Sequence, residues 1–230
     1  KEAERQGTLQ SDPYAELASN IPADTTCNSV FPQAPTKKKD PALPSSNLLS
    51  GTLSWSGSKT LCGDNQLSGD VTLSTTAGTL VIRNGKLDLN GHTIKTASGS
   101  SVTLIFAGDN GSYTHAPTGS GTIDIKAPTS GTWSGVAMYQ APNLTSGVDI
   151  SEAGNTPAWK ISGLTYLPYS NVTFSGVVNK SSYGASCFTM VVSTILINGT
   201  GKMLDRSECT QAGLTTMPQR QSAGRGKLVS

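Results

Sequence analysis

The sequence predicts an all-β fold, a right-handed parallel β-helix in which short strands stack as the coils of a solenoid. Eight short phrases are interpreted as strands with apolar residues on one side and polar residues on the other. Gly, Asn or Ser turns separate them, and the intervening stretches carry no helical pattern. The phrases occupy residues 71–74, 87–90, 102–105, 123–126, 136–139, 159–162, 172–175 and 195–198. Such strands bury their apolar sides against neighbouring coils, as in a solenoid.

A β-sandwich of short strands is the alternative fold. The phrases are unevenly spaced along the chain, so any repeat is degenerate. The Asn-Gly pairs at 84–85, 90–91 and 198–199 suit the corners of a solenoid, but they suit antiparallel hairpins equally well. The residues alone leave this choice open.

Three regions follow one another along the chain. Residues 1–50 are expected to form an irregular N-terminal segment, in which Tyr14 and Leu17 dock on the domain and the stretch 28–50 is a proline-rich loop. Residues 51–210 are expected to form the β-helix. Residues 211–230 are expected to be a polar tail, with 227–229 pairing as a short edge strand.

The composition excludes two classes of partner. Charged residues make up 14% of the chain and the net charge is +2, so the chain lacks the basic face that nucleic-acid binding requires. The apolar runs fall short of the ~20 residues that a transmembrane helix needs. Neither nucleic acid nor direct insertion into a membrane is therefore expected.

The four cysteines predict two disulfides. Their spacing lacks the C-x-x-C pattern of zinc or redox sites, so we expect no metal and no cofactor. Three connectivities are possible. Because each pair brackets one end of the strand region, we expect Cys27 to bond Cys62 and Cys187 to bond Cys209. Disulfides would place the chain in an oxidising compartment.

A resemblance to a known family extends over residues 12–210. The segment 126–143 resembles a signature of the TadG-type proteins of bacterial tight-adherence (Tad, or Flp) pilus-assembly systems. Further similar segments are 12–15, 61–63, 161–168, 171–176 and 187–199, together with Cys27 and Cys209.

The resemblance implies an extracytoplasmic domain of short parallel strands, in the periplasm or at the bacterial cell surface. It also implies an N-terminal membrane anchor outside this sequence. The implied function is non-enzymatic: a structural component of Flp pilus assembly or anchoring that acts in adherence through contacts with pilins and other assembly proteins. No catalytic motif of the family transfers to these residues.

An enzyme or a surface adhesin is the alternative function, because parallel β-helices also bind and cleave polysaccharides. Cleavage would need two carboxylates about one coil apart, and Asp88 and Asp124 are the candidates that could stack on one face. His92 and His115 are expected to be surface residues. For binding, the candidate surface consists of Trp133, Tyr139 and Tyr169, whose rings can stack on surface glycans or fill a partner's apolar groove.

Overall fold

The computed structural model describes residues 12–146, 148–150, 159–174, 178–197 and 207–215. Every strand pairing in these residues is parallel, which confirms the all-β parallel solenoid and excludes hairpins among the described strands. The strands are β1 (Leu48–Ser54), β2 (Ser58–Cys62), β3 (Asn65–Ser74), β4 (Gly78–Arg83), β5 (Leu87–Asp88), β6 (Thr93–Thr96), β7 (Val102–Ala107), β8 (Pro117–Thr118), β9 (Thr122–Lys126), β10 (Val136–Gln140), β11 (Val148–Ile150), β12 (Trp159–Phe174), β13 (Val178–Asn179) and β14 (Phe188–Ile197).

The strands stack into three faces. Face A contains β1, β3, β6, β9, the start of β12 and β13. Face B contains β2, β4, β7, β10, the middle of β12 and the start of β14. Face C is narrower: the starts of β1 and β3 stack with β5 and β8, and β11 stacks with the ends of β12 and β14. The long strand β12 therefore contributes to all three faces in turn.

Columns of apolar side chains fill the interior. On face A, Val71, Ile94, Ile123 and Trp159 follow one another in register, and all four are buried. Burying an aliphatic side chain of this size contributes about 1.5–3 kcal/mol. Each coil is thus stabilised mainly by the coils above and below it, as the sequence predicted.

The corner at Asn84 and Gly85 shows why an Asn-Gly pair ends a strand here. Asn84 has a positive φ of 51°, which asparagine tolerates better than most residues. A Cβ on Gly85 would lie 2.0 Å from the carbonyl carbon of Gly63 in the preceding coil. Only glycine fits this close approach of two backbones, so the pair forms a solenoid corner rather than a hairpin turn.

Face B departs from the predicted alternation of buried and exposed residues. All five residues of Val136–Gln140 and all six of Val102–Ala107 are buried. The expectation that one side of these strands faces solvent is therefore wrong. The reason is that other segments of the chain cover the outer side of face B and form a second apolar core there.

The boundaries of the three regions differ in detail from the sequence-based expectation. The N-terminal segment contains 3-10 helices at Ala15–Asn20 and Ser45–Asn47, and the first strand already begins at Leu48. Residues 207–215 pack on the domain. The expected edge strand at 227–229, the opening residues 1–11 and the last residues of two strand phrases, 175 and 198, lie outside the described residues.

Candidate interaction surfaces

Two disulfides staple the solenoid. Cys27 bonds Cys62 at the end of β2, and Cys187 bonds Cys209 just before β14, with Cα–Cα distances of 5.5 and 4.6 Å. Both expected pairings are confirmed. Such bonds form and persist in oxidising environments, which indicates an extracytoplasmic location.

The outer side of face B carries a continuous apolar column, which we call the outer strip. It consists of Val81, Ile105, Tyr139 and Tyr166, which stand in register on four successive strands. All four side chains are buried. An apolar strip of this length on the outside of a solenoid requires a cover, because exposing it to water would be unfavourable.

The aromatic residues of the strip pack against one another. The Tyr139 ring stacks on that of Tyr166 with centroids 4.9 Å apart, and Trp133 meets Tyr139 edge-on at 5.1 Å. Burial raises the pKa of both tyrosine hydroxyls, so both remain protonated hydrogen-bond donors. The expectation that Trp133 and Tyr139 form an open binding surface is wrong: Trp133 is 8% exposed and Tyr139 is fully buried.

Among the residues that the structure describes, two segments cover the outer strip. One is the N-terminal segment 12–22, which we call the strap. Its Tyr14 is buried on the outer strip, and Leu17 and Ile21 pack there in part, which confirms the expected docking of Tyr14 and Leu17. The strip reaches the strap through Tyr139 Oη, which donates to the Tyr14 carbonyl at 2.9 Å, and Tyr166 Oη, which donates to Asp12 Oδ2 at 2.8 Å.

The second cover is the segment 207–215, which the disulfide to Cys187 holds in place. Cys209, Ala212 and Leu214 are buried against the same apolar cluster as Trp133. The fit is close, since a Cβ on Gly135 would lie 2.7 Å from Leu214 Cα. The sequence predicts a loose polar tail from residue 211, whereas residues 211–215 pack on face B.

Two open grooves flank the strap. One, of about 450 Å³, lies between Asn20 at the end of the 3-10 helix and the loop that carries Trp133. The other, of about 310 Å³, lies between the strap and Arg83, Ala107 and Asn143. The strap thus leaves space on both sides instead of filling the outer side of face B.

Four exposed apolar side chains lie in the last coils that the structure describes, on β12, on β14 and in the loop between β13 and β14. Tyr169 is 57% exposed, Tyr183 51%, Ile195 41% and Leu196 58%. We call these four residues the end surface. Of the three residues of the predicted binding surface, Tyr169 alone is largely exposed. On β14, among the described strands, only one edge is paired, and its partner is β12.

The N-terminal end differs in chemistry. On β2, Lys59 stands in register with Leu80, whose side chain belongs to the interior core. The lysine therefore lies on the inward side of the first face-B strand and ends that interior column with a charge. Inward-pointing charges at sheet edges prevent unwanted strand pairing. The two ends of the solenoid thus differ in charge, but both present apolar groups, since Val30 and Leu48 at the N-terminal end are 62% and 40% exposed.

The carboxylate pair proposed for polysaccharide cleavage does not assemble. Asp88 lies on face C, where it accepts a hydrogen bond from Gln66 Nε2 at 3.0 Å. Asp124 lies on face A, where it is buried and accepts hydrogen bonds from Ser181 and Ser182. The two residues share no column of strand pairs, so the expectation that they stack on one face is wrong.

His115 is buried rather than a surface residue, so that expectation is also wrong. Its backbone N–H donates to Ser146 Oγ at 2.9 Å, and its carbonyl accepts from Gln140 Nε2 at 2.8 Å. The ring lies beside Asn84 at the corner between faces B and C. Burial lowers the pKa of the imidazole below its ordinary value of 6.5, although a hydrogen bond with the Tyr113 backbone and the charges of Asp64 and Asp109 partly oppose this effect.

Because His115 is buried, we expect the protein to lose stability in mild acid. Because folding lowers the pKa of His115, the unfolded state binds a proton at a higher pH than the folded state does. The folded state therefore loses stability relative to the unfolded state as the pH falls below 6.5, the ordinary pKa of histidine. We expect the free energy of unfolding to fall between pH 7 and pH 5, and to fall less in His115→Gln. Urea titrations at the two pH values measure this, and an unchanged difference in the variant would contradict the assignment.

Comparisons of the chain with models of known protein families, with curated proteins and with solved structures found no match. Among the residues that the structure describes, no group of three or more His, Cys, Asp or Glu is placed to hold a metal ion. No helix in that part of the chain is long and apolar enough to cross a membrane. The fold and the two disulfides define the class of protein: an extracytoplasmic, disulfide-stapled parallel β-helix.

Proposed function

We propose that this chain is a non-enzymatic structural component of Flp/Tad pilus assembly or anchoring. The observation that carries the proposal is β14, which exposes Ile195 and Leu196 of the end surface and, among the described strands, pairs along one edge only. Under this proposal the chain binds neighbouring assembly proteins or pilins, in the periplasm or at the cell surface.

The geometry of β14 suits a strand as the partner. A strand that pairs with one neighbour offers its other edge to a further strand, and side-chain contacts then give specificity. Leu196 lies in register with Thr173 on β12 and remains 58% exposed, so a partner strand could cover it. Exposed aromatic residues such as Tyr169 and Tyr183 are typical anchors of protein interfaces.

The resemblance of residues 12–210 to TadG-type proteins supports the pilus system as the setting. A stack of coils held by disulfides is a stiff element, which suits anchoring. Under this proposal the membrane is reached through an anchor outside the sequence, and surface glycans are a secondary class of partner.

Leu196→Asp tests the proposal. A charge at the end surface should prevent apolar docking, so a strain lacking the gene and carrying this variant should have markedly fewer surface pili than one carrying the wild-type gene. Because Leu196 is largely exposed, the melting temperature should change little. Electron-microscopic counting of pili gives the measurement.

Thr52→Asp is the matched control, because Thr52 is an exposed residue of β1, distant from β14 in the stack, and the substitution adds the same charge. It should restore pili to the wild-type number. Normal pili in the deletion strain would remove the assembly role altogether. Normal pili with Leu196→Asp alone would leave the role but exclude the end surface as the docking site.

A further inference from the structure

The strap is recognised at several points by side chains from three different strands of face B. Arg83 of β4 donates from Nη2 to the Pro22 carbonyl at 2.7 Å. Tyr139 of β10 donates to the Tyr14 carbonyl, and Tyr166 of β12 donates to Asp12. The Tyr14 ring packs on that of Tyr166, with centroids 5.9 Å apart. Face B therefore has a specific binding site for a peptide of this sequence.

The same strap is held by few buried groups. Its 3-10 helix Ala15–Asn20 contains no buried residue, and Leu17 and Ile21 are only partly covered. The two grooves beside it mean that many atoms of the outer side of face B lack close contacts with the strap. Dispersion attraction depends on such contacts, so the strap is bound by its hydrogen bonds and by Tyr14 more than by close packing.

The connection of the strap to the domain limits how it can move. Cys27 is bonded to Cys62 on β2, so everything beyond Cys27 stays with its own coil. Residues 23–26 form the link between the strap and this fixed point. Four residues span at most about 14 Å when extended. A strap released from its site, with the Asp24–Arg83 ion pair of the link (3.8 Å) broken, would therefore reach a molecule that lies alongside, but not one at a distance.

We propose that the outer strip is an exchange site: the strap of one copy of this chain occupies the outer strip of a second copy. The structure shows that the strap fits the outer strip, and every copy of the chain carries both the strap and the strip. In the second copy the strap makes the same hydrogen bonds and the same ring packing that it makes in its own, so exchange costs little beyond association.

Exchange of this kind links copies side by side. Reciprocal exchange gives a closed pair, whereas exchange in one direction gives an open row, because each copy then donates to the next one. The inference goes beyond the proposed function, since it concerns the outer strip and self-association rather than the end surface. Its test in solution is independent of pilus counts.

A labelled strap peptide tests the site on the full chain. The probe is a fluorescein-labelled peptide of residues 12–22, and its binding is measured by fluorescence anisotropy. The variant Asp12→Asn/Tyr14→Ala weakens the chain's own strap and should bind the peptide at least about tenfold more tightly than the wild-type chain, which corresponds to about 1.4 kcal/mol. The single variant Asp12→Asn keeps every apolar contact and should give a smaller gain in the same direction.

Two controls fix the interpretation. A peptide that itself carries Asp12→Asn and Tyr14→Ala should not bind, and the chain variant Glu16→Gln, at an exposed strap position, should behave as wild type. Adding Tyr166→Phe to the strap-weakened chain should reduce peptide binding several-fold, since the donor to Asp12 is lost. Equal binding of both peptides, or no binding to a strap-weakened chain that circular dichroism shows to be folded, would overturn the proposal.

Light scattering then tests exchange between copies. The wild-type chain should form pairs or longer rows as its concentration rises, and the strap-weakened chain should remain monomeric under the same conditions. A wild-type chain that stays monomeric up to millimolar concentration would overturn the exchange, even if the peptide binds.

Discussion

Replacing Tyr139 with Ala is expected to lower the free energy of unfolding by about 3–5 kcal/mol, the usual cost of removing a large buried aromatic side chain. Tyr139 is fully buried on the outer side of face B, between the rings of Trp133 and Tyr166. The substitution removes both ring contacts and the hydrogen bond to the Tyr14 carbonyl. It therefore weakens the second core and the strap together. Urea unfolding followed by circular dichroism measures the change.

Tyr139→Phe is the matched control for this prediction. It keeps both ring contacts and removes only the hydroxyl, so the expected loss is about 0.5–1.5 kcal/mol. The difference between the two variants gives the contribution of the ring itself. If Tyr139→Ala cost no more than Tyr139→Phe, the outer strip would not be a packed core, and our description of face B would be wrong.

The strand phrases could be predicted because they depend on local chemistry, whereas the choice of a parallel solenoid over a sandwich depended on the family resemblance. Apolar residues at alternate positions, as in 71–74, select one inward side, and Asn-Gly pairs end the strands. The disulfide pairing could be predicted for a different reason: each cysteine pair flanks one end of the strand region. These signals need no knowledge of how distant segments pack.

The columns of the solenoid could not be predicted from spacing. On face A the successive partners are Val71, Ile94, Ile123 and Trp159, and the coils between them grow steadily longer as residues are inserted at the corners. A fixed repeat is therefore absent. This is why Asp88 and Asp124, which look alike within their strand phrases, lie on different faces of the molecule.

The covered outer strip was missed although the sequence contains a signal for it. The run Leu104, Ile105, Phe106, Ala107 has no polar residue, and unbroken apolar runs indicate strands buried on both sides. What covers the strip could not be predicted, because the strap and the segment 207–215 reach it from opposite ends of the chain. Trp133 and Tyr139 are buried because of that long-range packing, and the residues next to them in the sequence do not indicate it.

Removing the disulfide between Cys187 and Cys209 is expected to cost about 3 kcal/mol, the value that loop-closure entropy gives for a separation of 22 residues. In the double variant Cys187→Ser/Cys209→Ser, the segment 207–215 loses its covalent tie to face B. Ser134 Oγ still donates to the Gly213 carbonyl at 2.8 Å. Glu208 and Ser186 still exchange two hydrogen bonds, Glu208 N–H to the Ser186 carbonyl at 3.1 Å and Ser186 N–H to Glu208 Oε2 at 2.5 Å. Each such bond contributes only about 0.5–1.5 kcal/mol. The segment should then open repeatedly, and backbone amides of Val136–Gln140 beneath it should exchange hydrogen faster.

The double variant Cys27→Ser/Cys62→Ser separates this local effect from general destabilisation. Its disulfide closes a separation of 35 residues, so the loss should be similar or slightly larger, about 4 kcal/mol. Its faster hydrogen exchange should instead appear at β2, Ser58–Cys62, and in the link between the strap and Cys27. Hydrogen exchange followed by mass spectrometry distinguishes the two patterns. If both variants accelerated exchange equally along the whole chain, the solenoid would open as one unit, and the segment 207–215 would not act as a separate cover of face B.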